Sequence, residues 1–374
     1  MLNDIPQLAA GRQPRAVVRV NGTPIDPWVS WEVTSNTYYE ADTFRVSFAA
    51  NALPSYANAA WLSDQPEVFV EVLAGFPTDP DRPNAAELVS QIYGRVDDID
   101  FDPFAGEIVL TGRDLTAAFI DARLTSQWAN ATSSEIATAL AQAHGLTPVV
   151  TATSEKVGTF YKHDQVRMQA DRSEWDMLAW LAREEGFVCF VTGQELHFEP
   201  DARETSEPYV IQWSAATDDR AAPSANVTHV SFSRAMTVSK GITVTASSPS
   251  LKKKTPTVMS YPSKPRAIQA GKSSPFGGVQ TYYFTLPAGM DGTAVEQFAQ
   301  KKYGEIVAHE MKLSARLPGD NLLTTKSVIS MRGTGTPFDQ VYYPNAITRT
   351  MSMDEGYTMT VAAKNTSPAN EAVS

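Results

Sequence analysis

The sequence predicts a mainly β protein with a small α/β insert, in which two β regions flank a helix–strand repeat and the first β region has the pattern of a sandwich or barrel. Short segments that alternate apolar and polar residues fill both ends of the chain, and turn residues separate them. Two helix–glycine–strand units lie between these ends, 41 residues apart. The chain has 374 residues, and at about 150 residues per domain this length suits two or three domains. We predict domains at 1–120, 121–205 and 206–365, followed by a flexible tail at 366–374.

The first β region begins with a strand at Arg15–Val20 and a hairpin turn. Asn21-Gly22 follows this strand, and Asn-Gly is typical of a type I′ turn because both positions take a positive φ. Apolar residues at every second position indicate five more strands: Trp28–Val33, Thr43–Phe48, Glu67–Leu73, Leu88–Val96 and Gly106–Gly112. We expect turns between them at three clusters: Asn51–Ser55, Gly75–Asn84 and Asp97–Pro103.

The middle region carries the repeated unit. Thr132 and Glu135 match a capping box at the start of a helix, and Gly145 suits the end of that helix. A strand at Leu146–Thr151 follows. The second copy starts its helix at Ser173 and ends it at Gly186, and it continues into two strands joined by a turn: Phe187–Val191, Thr192-Gly193 and Glu195–Phe198.

The last region returns to strands, with one interruption. The predicted strands are Tyr209–Trp213, Val227–Phe232, Gly241–Thr245, Met311–Ala315, Ser327–Arg332, Val341–Arg349 and Tyr357–Ala363. Residues 246–280 are rich in Ser, Pro, Gly and Lys and predict a long surface loop. Thr293 and Glu296 match another capping box, which opens a helix, and Gly304 should weaken that helix by about 1 kcal/mol. The loop and the helix together form an excursion over 246–312, and the chain should fray from Asn365 onward.

The acidic balance of the chain argues against tight binding to nucleic acid. The chain has 31 Lys and Arg against 42 Asp and Glu, a net charge of −11, whereas phosphate binding needs basic residues that displace counterions. Residues 1–120 hold 7 bases and 17 acids, but residues 240–374 hold 15 bases and 9 acids. This asymmetry is either drift in composition between domains or a sign that different faces meet different partners.

Composition also bears on compartment and membrane. No segment approaches 18 consecutive apolar residues, so we expect no membrane insertion. The first 14 residues lack an apolar signal core, so we expect no Sec export. The single cysteine, Cys189, excludes an intramolecular disulfide and a multi-cysteine zinc site, and it suits assembly in a reducing cytoplasm.

A search for chemistry predicts no catalytic, cofactor or metal site. No two of the five histidines stand four residues apart: His144, His163, His197, His229 and His309. We interpret His144 and His309 as surface helix residues, and His197 and His229 as structural groups in strands. Cys189 lies in an apolar strand and should be inert. The acidic run of Asp97, Asp98, Asp100 and Asp102 is interpreted as a solvated turn, because the glycine and glutamate of a calcium loop are absent. Four further acids should lie in loops: Asp79, Asp81, Asp218 and Asp219.

Three stretches, in order, resemble a known family. The first is Gly94–Asp100 with Gly106–Leu115 and Phe119–Asp121, the second is Asp171–Phe187 with Gly193–Phe198, and the third is Met331–Tyr343 with Ile347–Arg349 and Gly356–Thr358. They resemble the phage late control protein D family, which includes baseplate (tail) hub proteins. The hub part of the valine–glycine repeat spike proteins of type VI secretion is related to it. Two departures stand out: the region 246–280 is longer than the pattern, and Gln340-Val341 replaces a glycine.

The resemblance implies a structural tail hub with no catalysis. It implies a homotrimer whose two barrels per subunit form a ring that adapts a sixfold tail tube to a threefold spike. The implied partners are a tail tube or distal tail ring protein, a central spike protein and a tape-measure protein, with DNA passing through the lumen without specific binding. The implied location is the tail tip or baseplate of a virion assembled in the bacterial host cytoplasm. No spike domain follows in this sequence, so we expect a hub with a separate spike.

Two other functions stay open from the residues. Residues 171–198 have the helix-and-hairpin pattern of peptidoglycan-binding repeats, so a glycan-binding tail module is one alternative. A tail-associated hydrolase that uses two of the loop acids is the other, although no pair of acids stands in a recognisable catalytic context.

Overall fold

The computed structural model describes residues 2–3, 13–123, 128–157, 165–166, 173–202, 207–216, 218, 222–235, 242–249, 255–263, 280–286, 288–307 and 311–365. The described residues are mainly β, with 48% strand and 18% helix. It divides into two compact units. Unit 1 contains the described parts of residues 1–209, 316–328 and 345–361, and unit 2 contains those of residues 210–315, 329–344 and 362–374.

An antiparallel sheet forms the first part of unit 1. Its strands are β1 (Arg15–Val20), β2 (Thr23–Pro24), β3 (Trp28–Asn36), β4 (Thr43–Ala49), β5 (Phe69–Gly75), β6 (Val89–Asp102) and β7 (Glu107–Asp114). They pair in the order β2-β1-β5-β6-β7-β4-β3, and β3 also pairs with residues 346–352. Asn21 and Gly22 have φ values of 47° and 80°, so the predicted type I′ turn is confirmed. The pairings among the described residues do not close this sheet into a barrel, and the two barrels therefore stay a prediction.

The core of this sheet lies on one face, as the alternation predicts. Trp31 and Phe48 are each 1% exposed, and Trp31 packs against Tyr357 with ring centroids 5.7 Å apart. Burying an aliphatic or aromatic side chain this completely contributes about 1.5–3 kcal/mol. The aliphatic residues that complete the face are fully buried: Val18, Val46, Val70, Val72, Ile108 and Leu110.

Two glycines of the first family-like stretch let β6 and β7 approach closely. A Cβ atom at Gly112 would collide with the backbone oxygen of Arg95, and one at Gly94 would collide with that of Arg113. The ring of Phe44 packs against both glycines: a Cβ atom at Gly112 would lie 2.7 Å from its Cζ atom, and one at Gly94 would lie 3.0 Å from its Cε1 atom. Only glycine fits such a contact, which gives these two positions of the motif a structural reason.

Two short helices and one strand extension were not predicted. Helix α1 (Ala59–Asp64) starts at Asn58, whose side chain accepts a hydrogen bond from the backbone N–H of Trp61, and α2 (Thr116–Asp121) follows β7. The turn predicted at Asp97–Pro103 is wrong, because β6 continues to Asp102 and pairs with β7 throughout. The strand is kept in register by β7, a long-range partner that the local run of acids does not indicate.

The helix–strand repeat of unit 1 is confirmed. Helix α3 (Ser133–Ala143) and helix α4 (Glu174–Glu185) begin with capping boxes at Thr132 and Ser173, and Gly145 and Gly186 have positive φ values of 72° and 70°. The strands of this region are β8 (Trp128–Ala129), β9 (Thr147–Val150), β10 (Gln165–Val166), β11 (Phe187–Thr192) and β12 (Glu195–Pro200). They form a sheet in the order β11-β12-β9, with β9 parallel to β12, and a separate β10-β8 pair.

Unit 2 contains a second, smaller sheet covered by a helix. Its strands β16 (Ile242–Ser248), β17 (Thr257–Tyr261) and β18 (Gln280–Thr285) lie in the order β17-β16-β18. Helix α5 (Gly292–Val307) packs Val295 and Ala299, both fully buried, against Val244 and Ala246. The other strands in and around this unit are β13 (Tyr209–Ser214), β14 (Ser224–Ala225), β15 (His229–Arg234), β19 (Met311–Pro318), β20 (Ile329–Arg332), β21 (Val341–Ser352) and β22 (Gly356–Asn365).

Three predictions in this part of the chain are wrong. The region 246–280 is not wholly a loop, because β16 runs to Ser248 and β17 lies within it. Helix α5 begins before Thr293: Asp291 accepts a hydrogen bond from the N–H of Ala294, so Asp291 caps the helix. Asn365 does not fray, since it is 1% exposed and its side chain bonds Met311 and Gln340. The predicted tail at 366–374 lies outside the described residues.

Candidate functional site

The hairpin of β6 and β7 extends beyond its neighbour β5. Strand β5 pairs with β6 only as far as Arg95, whereas β7 continues to pair with β6 to Asp102. A bulge between Val96 and Asp98 follows the last pair with β5, and beyond it β6 forms the edge of the sheet while β7 still pairs with β4 as far as Glu107. All nine residues from Asp97 to Ala105 are exposed. The outer part of this hairpin is therefore an exposed feature of unit 1.

The tip of the hairpin is a tight turn built by local hydrogen bonds. Asp102 Oδ1 accepts from the backbone N–H groups of Phe104 and Ala105, at 2.8 and 2.9 Å, and Gly106 has a φ of 66°. A side chain at the first position of a turn commonly accepts such bonds. The turn holds the ring of Phe104 wholly in solvent, with a relative exposure of 101%.

The two faces of the hairpin differ in chemistry. Ile99 and Phe101 are 39% and 50% exposed, and they lie opposite Leu110 and Ile108 on the same face of the sheet. Successive residues of a strand point to opposite faces, so Asp98, Asp100 and Asp102 share the other face. The hairpin therefore carries an apolar row on one face and an acidic row on the other.

Ion pairs fix the base of the hairpin. Arg113 binds Asp97 through two nitrogen atoms, at 2.6 and 3.0 Å, and Arg95 Nη2 lies 2.7 Å from Asp121 Oδ2. The hydrogen bonds that Arg113 donates to the Asp97 carboxylate raise the pKa of Arg113 above its ordinary value. These side chains are 26–46% exposed, and pairs of this kind contribute about 1 kcal/mol or less each. Asp97 thus holds the hairpin in place, whereas Asp98 and Asp100 face solvent.

The loop between β3 and β4 is anchored on the helix–strand repeat. Tyr39 has a φ of 78°. Its hydroxyl donates to the backbone oxygen of Phe187 at 2.7 Å, and its backbone oxygen accepts from Trp175 Nε1 at 2.8 Å. The guanidinium of Arg183 lies 4.7 Å from the ring centroid of Tyr39. Trp175 is 5% exposed, so it holds this loop and is not a platform for a sugar ring.

A small cleft of about 50 Å³ lies next to this loop and contains a buried acid. Asp42 accepts from the N–H of Asn36 at 2.7 Å, and burial raises the pKa of Asp42 to about 7. Burial and the neighbouring Asp42 also raise the pKa of Asp114, while burial lowers the pKa of Lys326, whose ammonium lies 3.7 Å from the ring centroid of Phe190. A cleft of this size holds about one or two waters, which is too small for a substrate.

The histidines and the cysteine that the sequence analysis considered do not lie together in the described structure. His144 is not a free surface residue: its Nε2 lies 2.5 Å from Glu174 and its ring packs edge-on against Phe119. His197 stacks on Phe190, and burial lowers its pKa. His229 is exposed, and Cys189 is fully buried with a raised pKa. His163 and His309 lie outside the described residues.

The loop acids do not assemble into a site either. Asp79 accepts from the N–H of Asp81 at 3.0 Å, as a turn residue does, and Asp219 lies outside the described residues. Across the part of the chain that the structure describes, no three His, Cys, Asp or Glu side chains are grouped to hold a metal ion. Within the same part, no helix is both long and apolar enough to span a bilayer.

The fold is that of phage tail proteins and of spike-related proteins of type VI secretion, and this confirms, for the fold, the resemblance read from the motifs. No protein-family model and no curated protein sequence matches the chain. A tail protein from Neisseria meningitidis matches with a TM-score of 0.67 and 16% identity, over 94% of this chain and 97% of that one. The 43 kDa tail protein of prophage MuSo2 from Shewanella oneidensis matches with a TM-score of 0.66 and 14% identity, over 94% and 98%.

A third similar structure is that of a secretion-system protein. It is an E. coli component of the type VI secretion system that is structurally similar to bacteriophage T4 tail proteins, with a TM-score of 0.52 and 13% identity, over 94% of this chain and 77% of that one. These similarities concern the fold, which the three proteins share with this chain at 13–16% sequence identity.

Proposed function

We propose that this protein is the structural hub of a phage tail or of a phage-like particle. Three copies form a ring in which two barrel-like β regions per subunit make a pseudo-sixfold surface for the tail tube, while the threefold axis accepts the spike. The observation that carries the proposal is the fold match, which covers 94% of this chain and 97% of a tail protein. A match over nearly all of both chains means that the similarity is not confined to one domain.

The contents of the chain support a role without catalysis. The buried acid Asp42 faces a cleft too small for a substrate, and the histidines of the described residues are spread over separate elements. The aromatic Trp175, which a glycan-binding role would use, is committed to the Tyr39 loop. We therefore favour the hub over a glycan-binding module or a tail-associated hydrolase.

Charge supports a lumen through which DNA slides. A trimer carries about −33, three times the −11 of one chain, and an acidic or neutral lumen does not hold phosphates by counterion release. The proposed partners are a tail tube or distal tail ring protein, a central spike and a tape-measure protein, assembled in the host cytoplasm and present at the virion's tail tip. The proposed domains remain 1–120, 121–205 and 206–365.

The proposal is tested by the mass of the full chain in solution over a range of concentrations. We expect assembly from monomer toward three times 40.7 kDa, without a stable dimer or tetramer. A closed ring of three follows from head-to-tail contacts related by a threefold axis. A dimer or tetramer as the end state would refute the threefold hub, and hydrolysis of purified peptidoglycan would refute the non-catalytic role.

A further inference from the structure

The outer edge of the β6–β7 hairpin lacks a neighbouring strand. Among the described residues, only β7 pairs with positions 98–102, because β5 begins at Phe69, opposite Arg95 of β6. A strand edge exposes backbone N–H and C=O groups that are spaced to bond another strand. Proteins cover such an edge or blunt it with charged residues, proline or a bulge. Here a bulge precedes Asp98 and every charge from Asp97 to Asp102 is acidic, which repels an acidic strand but not a basic one.

The apolar face of the core continues to this edge and ends there without a cover. Leu110 and Ile108 are fully buried in β7, and their cross-strand neighbours Ile99 and Phe101 are 39% and 50% exposed. One more strand beside β6 would place its own apolar side chains next to Ile99 and Phe101 and remove their surface from water. Each apolar Å² removed from water contributes about 25 cal/mol.

The other face of the same edge selects the charge of the added strand. Asp98 and Asp100 are exposed there beside Asp102, and the sequence from Asp97 to Ile108 has five acids and no base. Like charges on adjacent strands are destabilising, while opposite charges are favourable. Two copies that joined through this edge would bring two acidic rows together, so the edge disfavours pairing with itself and favours a basic partner.

We propose that the edge formed by residues 98–102 takes up an extended, basic segment of another polypeptide as an added β-strand. Its Lys or Arg residues alternate with apolar residues, so that the basic row faces Asp98 and Asp100 while the apolar row covers Ile99 and Phe101. This mode of recognition gains affinity from the backbone and specificity from alternate side chains. The inference rests on the proposed tail role only in taking the partner to be another tail component.

The test uses the full chain and a fluorescent seven-residue peptide of alternating Lys and Val, with binding measured by fluorescence anisotropy at low salt. We expect the Lys peptide to bind, and we expect the same peptide with Glu in place of Lys, or with N-methylated backbone amides, not to bind. The double variant Asp98→Asn/Asp100→Asn should weaken binding about fivefold, as the loss of two exposed ion pairs predicts. The double variant Asp26→Asn/Asp354→Asn removes the same charge from exposed positions elsewhere and should change binding less than twofold.

Three results would overturn the proposal: equal binding of the N-methylated peptide, equal loss in the two double variants, or no selectivity for Lys over Glu. Hydrogen exchange gives a second readout. The backbone amides of 98–102 that point away from β7 should exchange fast in the free protein and slowly with the Lys peptide. Protection of these amides in the free protein would mean that the edge is already covered and would overturn the proposal. If only the hub proposal fails, the mass in solution differs from that of a trimer while the peptide selectivity persists. If only this inference fails, the selectivity is lost while the mass is that of a trimer.

Discussion

The close approach of β6 and β7 at Gly112 predicts a large loss of stability for Gly112→Ala. The new Cβ atom would collide with the backbone oxygen of Arg95 and lie 2.7 Å from Cζ of Phe44. Carbon atoms pack at about 3.5–4.0 Å, so the ring must move by most of an ångström and the paired strand must move as well. The ring belongs to the buried core, where little free space is available.

The size of the stability loss is judged by comparing a glycine where a Cβ atom would be crowded with a glycine where only the backbone would be strained. Overpacking a core by one carbon atom costs about 1–3 kcal/mol, and more where backbone must shift, so we expect Gly112→Ala to lower the free energy of unfolding by about 3 kcal/mol or more. The matched control is Gly22→Ala at the edge of the same sheet, where a Cβ atom meets nothing within 4 Å but φ is 80°. That variant should lose only the strain of a left-handed residue, about 1–2 kcal/mol.

Urea denaturation followed by tryptophan fluorescence measures both variants, because Trp31 is buried in this core at 1% exposure. We expect the midpoint of Gly112→Ala to fall clearly below that of Gly22→Ala. If the two variants lose the same stability, or if Gly112→Ala loses less, then close strand approach is not the reason for the glycine and the explanation of the motif is wrong.

Three further predictions concern stability. Arg349 is 5% exposed and donates to the oxygens of Asp320 and Leu323, so Arg349→Met should cost about 3 kcal/mol in urea denaturation, and a loss within 0.5 kcal/mol would contradict this. Burial raises the pKa of Asp42 from 3.8 to about 7, so between these pH values the folded state keeps a proton that the unfolded state has lost. The free energy of unfolding should therefore fall as pH rises from about 4 to about 7. Asp42→Asn should reduce this fall, and an unchanged pH profile in the variant would refute the raised pKa of Asp42. A Cβ atom at Gly304 in helix α5 meets nothing within 4 Å, so Gly304→Ala should stabilise unit 2 by up to about 1 kcal/mol in calorimetry, and destabilisation would show that the glycine has another role.

Elements with a local cause could be predicted from the sequence. The type I′ turn at Asn21-Gly22 and the helix starts at Thr132 and Ser173 depend on residues within four positions, and each formed as expected. Short helices were missed although a signal existed: Asn58 caps α1 and is a favoured N-cap residue. Asp291, which is also a favoured N-cap residue, caps α5 ahead of Thr293.

The hairpin surface could not be predicted because long-range pairing creates it. The acids from Asp97 to Asp102 have the composition of a turn, yet β7 and the two glycines Gly94 and Gly112 keep this segment extended. Its exposure depends on where β5 stops, which is set by the register of a different pair of strands. The Tyr39 anchor depends likewise on Phe187 and Trp175, which are distant in sequence.

The most direct test of the central claim is cryo-electron microscopy of a particle that carries this protein, with the tail tip reconstructed without imposed symmetry. The proposed function predicts three copies of the chain in one ring around the tail axis, between the tube and the spike, with a lumen lined by acidic or neutral residues. Six copies, a position away from the axis, or a lumen lined by Lys and Arg would contradict the account.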